Sequence, residues 1–322
     1  MYVGVSVSVC RLIPVGLRPQ LYCYPIVVVR SEDRGDISAM AMDNPSLSQR
    51  LNVASLTPTQ TTLLITLLAR VQDARRSKPI VHDKWAAGVL DKIEHAPSSL
   101  RGNHARETVL LRARQIDEWT TAFLADHSEA TVLHLACGLD TRCRRVKWNA
   151  PGTNVRWIDV DFPDVVDLRK KVCEEPDGDY SLVSANVTGE EWLVQIPADR
   201  PTVVVFEGLT PYLTDETGST LIRRLVGHFK TGELLFDTVG PLAVRMQSLF
   251  TPVQNVGASF TWAVKHPKVI ERLHPRLKLR DCLHPWDANG FDNVPQSTRL
   301  TFTTYRSLPG FRSLNLNHRF RF

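Results

Sequence analysis

Apolar positions along the chain follow two periods, one helical and one belonging to buried strands. Between residues 59 and 76 they recur at i, i+4 and i+8, as Leu63, Leu67 and Val71, with Pro58 near the start and Pro79 beyond the end. Residues 85–93 repeat the pattern briefly, and 106–124 predict the clearest amphipathic helix, with Val109, Ala113, Ile116, Thr120 and Phe123 on one face. The period then changes. Residues 131–136 and 155–160 are β-rich, mainly apolar runs and 202–206 an uninterrupted one, as expected of parallel strands covered on both faces. Shorter strands are expected over 181–185 and 234–238, and helices over 164–173 and 214–230. The ending HRFRF alternates, which predicts a last strand. Strands alternating with helices place the chain in the α/β class. The helices before the first strand form a layer that can fold over a ligand at the strand ends.

The first apolar run ends in Cys137-Gly138, and Leu139-Asp140-Thr141-Arg142 reads as the start of a helix. Gly138 permits a sharp turn and leaves no side chain in the way of a ligand. The second run delivers Asp159 and Asp161 about 20 residues later, where a nucleoside-binding α/β unit places an acid on the ribose hydroxyls. A pyrophosphate needs close backbone approach over several bare positions. Gly138 is the only glycine between Glu129 and Pro151, so a dinucleotide is disfavoured. A nucleoside without phosphate, such as S-adenosylmethionine, needs only one tight turn and an acid. The run 202–206 delivers Glu207-Gly208 at its carboxyl end, facing that site from the other side of the switch point.

Charge and composition narrow the class. The 39 Lys and Arg against 34 Asp and Glu leave a net charge of +5, small for 322 residues and scattered along the chain. Arg142, Arg144, Arg145 and Lys147 read as a solvated helix face, and no nucleic-acid motif accompanies them. The 6 cysteines show no C-x-x-C pair, which favours free thiols in a reducing, cytoplasmic setting. No apolar run approaches the ~20 residues of a membrane helix. Residues 1–45 lack the pattern of a secretory signal and are expected to form a poorly ordered extension, with Met40 or Met42 as an alternative start. His274, Cys282 and His284 match no standard metal-ligand spacing, so no metal is expected.

The segments HLACGLDTR, WIDVDFP and VVVFEGLTPYL, in this order, resemble the leucine carboxyl methyltransferase and tetracenomycin-type O-methyltransferase family. The likeness runs from about residue 59 to the end of the sequence. It implies a class I methyltransferase: a Rossmann-like, seven-stranded, mostly parallel sheet with an N-terminal helical layer. The methyltransferase domain would span 46–322, with an acceptor-side cap at about 241–290. The implied cofactor is S-adenosylmethionine. Residue by residue, the resemblance gives Arg112 the methionine carboxylate, with Arg70 a weaker second match, and gives the cofactor turn to Ala136, Cys137 and Gly138. Asp161 takes the ribose, Asn186 and Val187 the adenine, and Glu207 the region of the sulfonium and amino group. Asn186 stands where the family commonly has Asp. Tyr212 would line the acceptor pocket or merely pack. The implied reaction is methyl transfer to a carboxylate or hydroxyl of a small molecule, of secondary-metabolite or polyketide type, with no nucleic acid or membrane involved. A protein C-terminal carboxylate, a noncatalytic cofactor-binding module and a nicotinamide oxidoreductase are the rival readings; the missing glycines argue against the last. The sequence identifies neither a catalytic base nor an oligomeric state.

Overall fold

The computed structural model describes residues 6–15, 18–27, 50–53, 56–94, 103–249, 258–308 and 310–322. The expectation for residues 1–45 falls largely outside these. Within it, β1 (Ser6–Val15) pairs antiparallel with β2 (Arg18–Val27), in a unit of its own that ends at Asn44. The second unit spans Pro45–Phe322.

Two residues of β3 (Leu51–Asn52) pair with β4 (Ile93–Glu94). Between them lie α1 (Pro58–Ala74) and α2 (Ala86–Asp91). The α1 start is a reciprocal cap: Gln60 N–H donates to Thr57 Oγ1 while Thr57 N–H donates to Gln60 Oε1. The long helix α3 (Asn103–Asp126) leads into β5 (Glu129–Leu135), followed by a four-residue helix α4 (Arg142–Arg145). Then come β6 (Asn154–Asp161), α5 (Pro163–Val172), β7 (Asp179–Ser184), β8 (Thr202–Phe206), α6 (Asp215–His228) and β9 (Gly232–Val239). After the short helix α7 (Pro241–Arg245), β10 (Lys278–Leu283) and β11 (Asn315–Arg321) complete a 7-stranded sheet.

The sheet order is β10-β11-β9-β8-β5-β6-β7. Strands β5 to β9 are mutually parallel where they pair, and β11 and β10 run antiparallel at one end. Successive residues of the central strands alternate between two buried faces. Leu133, Val204 and Phe206 pack under α6, against Leu221, Ile222 and Leu225. Val132, Val203 and Val205 pack under α3, against Ile116, Trp119 and Phe123. That explains the missing alternation, since both faces are dry. The α1–α2 layer buries Leu63, Leu67 and Leu90 against Val165 and Leu168 of α5, beside Leu139.

Two elements depart from expectation. Within the stretch expected to form the cap, β10 forms as the antiparallel edge beyond β11, and a further helix, Gln296–Ser307, follows. An edge strand that is only half-buried has no continuous apolar run to announce it. No described helix is long and apolar enough to cross a membrane.

Candidate functional site

Because β5, β6, β7, β8 and β9 are parallel, their carboxyl ends share one edge of the sheet, and the order reverses between β5 and β8. A cavity of about 990 Å³ opens there. Arg112, Ala136, Cys137, Gly138, Asp161, Asn186, Val187, Glu207 and Tyr212 all line it, as does Arg70. The nine positions singled out in the sequence thus meet in one space, although they span residues 112–212.

The turn after β5 is built from left-handed backbone, with Ala136 at φ 50° and Gly138 at φ 52°. Gly138 N–H donates to Asp161 Oδ2 at 2.7 Å and Phe162 N–H to Asp161 Oδ1 at 2.8 Å. Each oxygen keeps a lone-pair direction for a further donor. Burial pushes the Asp161 carboxyl above its usual range, and these two N–H groups only partly offset that. Arg169 of α5 locks the turn from below, donating to the carbonyls of Gly138 at 3.0 Å and Asp140 at 2.7 Å.

Asp159 has a different task. Its side chain is fully buried and accepts from His134, Trp157 Nε1, Arg169 and the Tyr180 hydroxyl. Burial alone would raise its pKa, but Arg169 and these donors hold it down at about 2. Its folded pKa lies below the unfolded value, so its contribution is present above about pH 4 and lost as pH falls towards 2. The difference corresponds to about 2 kcal/mol. Asp159→Asn should lower the urea midpoint at pH 7 and flatten its fall between about pH 4 and pH 2; a fall as steep as the parent's would refute this role.

His134 Nε2 lies 3.3 Å from Arg142 Nη1, which can only donate, so Nε2 serves as the acceptor and Nδ1 faces Asp159 Oδ1 at 3.1 Å. Arg142 is fully buried. Its Nε donates to Asp117 of α3 at 2.6 Å and its Nη2 to Glu207 Oε2 at the end of β8. Arg145 joins Asp83, Asp117 and Asp140. The reading of this basic cluster as a solvated face is therefore corrected for Arg142 and Arg145, while Lys147 is exposed. Their acidic partners lie on other elements, which a local charge run cannot display.

Arg112 donates from Nε to Glu207 Oε1 at 2.9 Å and from Nη1 to Asp237 Oδ2 at 2.8 Å. Burial would weaken its charge, but Asp237 and Glu207 more than restore it. Nη2 has no partner among the described residues and faces Gly208, where an added Cβ would sit 3.3 Å away. Gly208, at φ 67°, also donates its N–H to Asp237 Oδ1 at 2.6 Å. Burial would push the Glu207 carboxyl up, yet Arg112 and Arg142 hold it below its ordinary value. Arg114, by contrast, is half-exposed and pairs with Glu118. Summed over Arg70, Arg112, Arg142 and Arg145 against Asp83, Asp117, Asp140, Glu207 and Asp237, carboxylates outnumber guanidiniums by one. Such a cluster favours a cation at its edge.

At the end of β7, Asn186 Oδ1 accepts from Thr188 N–H at 3.0 Å and Thr188 Oγ1 at 2.8 Å. Its oxygen is thus engaged locally; Asn186 and Val187 both line the cavity, and the Val187 N–H has no partner among the described residues. The opposite wall is apolar and comes from later in the chain: Met246, Phe260, Trp286, Phe302, Tyr305 and Phe311. Tyr212 stands between the halves, stacked obliquely 5.6 Å from Phe260. The sequence reading missed His134, Arg169 and Asp237; Asp237 lies inside the run 234–238, and a lone acid in an otherwise apolar strand was the available signal.

A bare turn, an acid with open lone pairs and a free backbone N–H suit a nucleoside and provide no pyrophosphate cradle. The comparisons with known proteins agree. The model of the leucine carboxyl methyltransferase family matches residues 63–226. The tetracenomycin polyketide synthesis O-methyltransferase TcmP of Streptomyces glaucescens is 39% identical over 80% of this chain and 94% of its own length. The S-adenosyl-L-methionine-dependent methyltransferase dpfgK of Gibberella zeae is 36% identical over 70% of this chain and 82% of its own. Among solved structures, a candidate methyltransferase of Thermobifida fusca superposes with TM-score 0.53 at 15% identity, covering 79% of this chain and 94% of that one, a likeness of fold.

Proposed function

This chain belongs to the leucine carboxyl methyltransferase family, and from that premise we propose that its methyl acceptor is a small molecule with an apolar body and an ionised carboxylate. The enzyme is an S-adenosylmethionine-dependent O-methyltransferase. When bound, S-adenosylmethionine supplies an electrophilic methyl group on a sulfonium. The protein's share is to bind, align and exclude water.

Asp161 would accept the ribose hydroxyls, the Val187 N–H would donate to a ring nitrogen of the adenine, and the free Nη2 of Arg112 would meet the methionine carboxylate. Glu207, kept ionised between its arginines, would favour the ammonium and the sulfonium charge. These assignments rest on geometry and on the family pattern together.

The observation that carries the carboxylate reading is the state of the titratable groups in the cavity wall. Asp140, Glu207, Asp237 and His134 already accept hydrogen bonds from arginine donors, and the open lone pairs of Asp161 are taken by the ribose in the cofactor assignment. None is a free base, so an acceptor that needs deprotonation finds no proton sink, whereas a carboxylate arrives as the nucleophile. The aromatic wall and the polyketide role of the Streptomyces relative support a small apolar acceptor over a protein C-terminus. Titration with S-adenosylhomocysteine should give a roughly micromolar Kd, with no binding of NAD. Aromatic carboxylic acids should then be esterified, while the matching neutral phenols are not. Methylation of the phenols alone would overturn the carboxylate assignment.

A further inference from the structure

The stretches that supply most of the apolar wall, 241–270 and 293–322, contain no Asp or Glu. They do contain Arg245, Arg299, Arg306 and Arg312. Three of these adjoin lining residues: Arg245 precedes Met246, Arg306 follows Tyr305, and Arg312 follows Phe311. The three segments meet in space. The rings of Tyr305 and Phe311 lie 5.1 Å apart, and Gly310 sits against Leu242 of α7, where an added Cβ would be 3.5 Å from Leu242 Cδ2. Arg245, Arg306 and Arg312 are exposed and have no ion pair or hydrogen bond among the described residues. Arg299 is only loosely paired, with Asp292 at 3.8 Å. Other acids beside lining residues are Asp287, held by His284 at 2.7 Å, and Asp215 and Glu216 at the start of α6. The cofactor half is the opposite case, since Arg70, Arg112, Arg142, Arg145 and Arg169 each have a carboxylate partner. Exposed cations add little to stability. Grouped beside a cleft with apolar walls, they raise the local concentration of anions and the rate at which anions arrive.

We propose that Arg245, Arg306 and Arg312 form a charge-selective portal to the acceptor site, which draws in the anionic acceptor and has no hold on the methylated product. The transfer itself makes the two differ. A carboxylate oxygen bonds to the methyl carbon, the carbon–sulfur bond breaks, and its electron pair returns to sulfur. An anion and a sulfonium thereby become a neutral ester and a neutral thioether. Substrate and product have nearly the same body, so charge is what the portal can sort them by. This rests on the carboxylate reading proposed above.

The test uses the full chain saturated with S-adenosylhomocysteine, and follows binding of 2-naphthoate and of methyl 2-naphthoate by stopped-flow fluorescence at rising salt. In the parent at about 20 mM salt the acid should associate about 5-fold or more faster than the ester. The gap should close by about 500 mM, where the Debye length is only about 4 Å. Arg245→Gln, Arg306→Gln and Arg312→Gln combined should bring the acid to the ester's rate at low salt, with S-adenosylhomocysteine affinity and Tm unchanged. The same three positions changed to Glu should make the acid the slower of the two. Salt-independent association in the parent, or no binding of the acid at low salt, overturns the portal, and neither result depends on a variant. So does a gap that survives in the triple Gln protein. S-adenosylhomocysteine binding and ester formation are read separately. A parent that binds no S-adenosylhomocysteine overturns the cofactor assignment, and one that methylates phenols alone overturns the carboxylate reading. Both differ from a flat salt profile in an enzyme that esterifies acids.

Discussion

Glu207→Ala should lower Tm by roughly 5–10 °C and abolish methyl transfer. The side chain links Arg112 of α3 to Arg142 of α4 through separate oxygens, from the end of β8. Removing it leaves two buried guanidiniums short of a counter-charge, and breaking such a pair costs about 3–5 kcal/mol. The low end applies here. Arg112 retains Asp237, and Arg142 retains Asp117 and Asp140. Glu207→Gln keeps one acceptor and the shape, so it should melt closer to the parent while still losing cofactor affinity at least 10-fold, since the negative charge facing the cationic cofactor is gone. Differential scanning calorimetry with a parallel cofactor titration separates the two effects. An alanine variant that melts within about 1 °C of the parent would remove Glu207 from the network that holds the strand ends together.

The second large effect concerns Gly138→Val. At φ 52° a β-branched residue is strained by about 1–2 kcal/mol or more. The new Cβ would also lie 3.4 Å from Leu63 Cβ of α1, with its methyl groups still to place. The turn must move, and with it the N–H that holds Asp161. Affinity for S-adenosylhomocysteine should fall about 100-fold, against at least 10-fold for Asp161→Ala, which removes the acceptor but not the turn. Far-ultraviolet circular dichroism should be unchanged in both. Parent-like affinity in the pair would dismiss this turn as the nucleoside site.

The half of the cavity proposed to hold the cofactor was legible because its signals are local. A dry strand, a lone glycine and an acid at the next strand end are all readable within the segment 131–161. The choice of Asp161 over Asp159 is matched by their surroundings: one faces the cavity, and the other is consumed by Arg169 and His134. What stayed hidden is non-local. Arg142 looked like surface charge because Asp117 and Glu207, which bury it, are 25 and 65 residues away. Asn186 departs from the family pattern in identity, and its oxygen turned out to be held by Thr188, which only the turn geometry reveals. The apolar wall is contributed by side chains from a 3-10 turn, a helix and loops, such as Phe302 and Phe311, whose convergence carries no periodic signal.

The cavity is also divided along the chain. The groups proposed to face the nucleoside come from residues 112–207, and most of the aromatic wall comes from residues 260–311. Each half has its own stretch of coding sequence. Drift in the second stretch alters which molecule is accepted without disturbing the delivery machinery encoded by the first. A lineage of such enzymes can therefore diversify its chemistry by exchanging a single contiguous segment, as a tool changes its bit and keeps its motor.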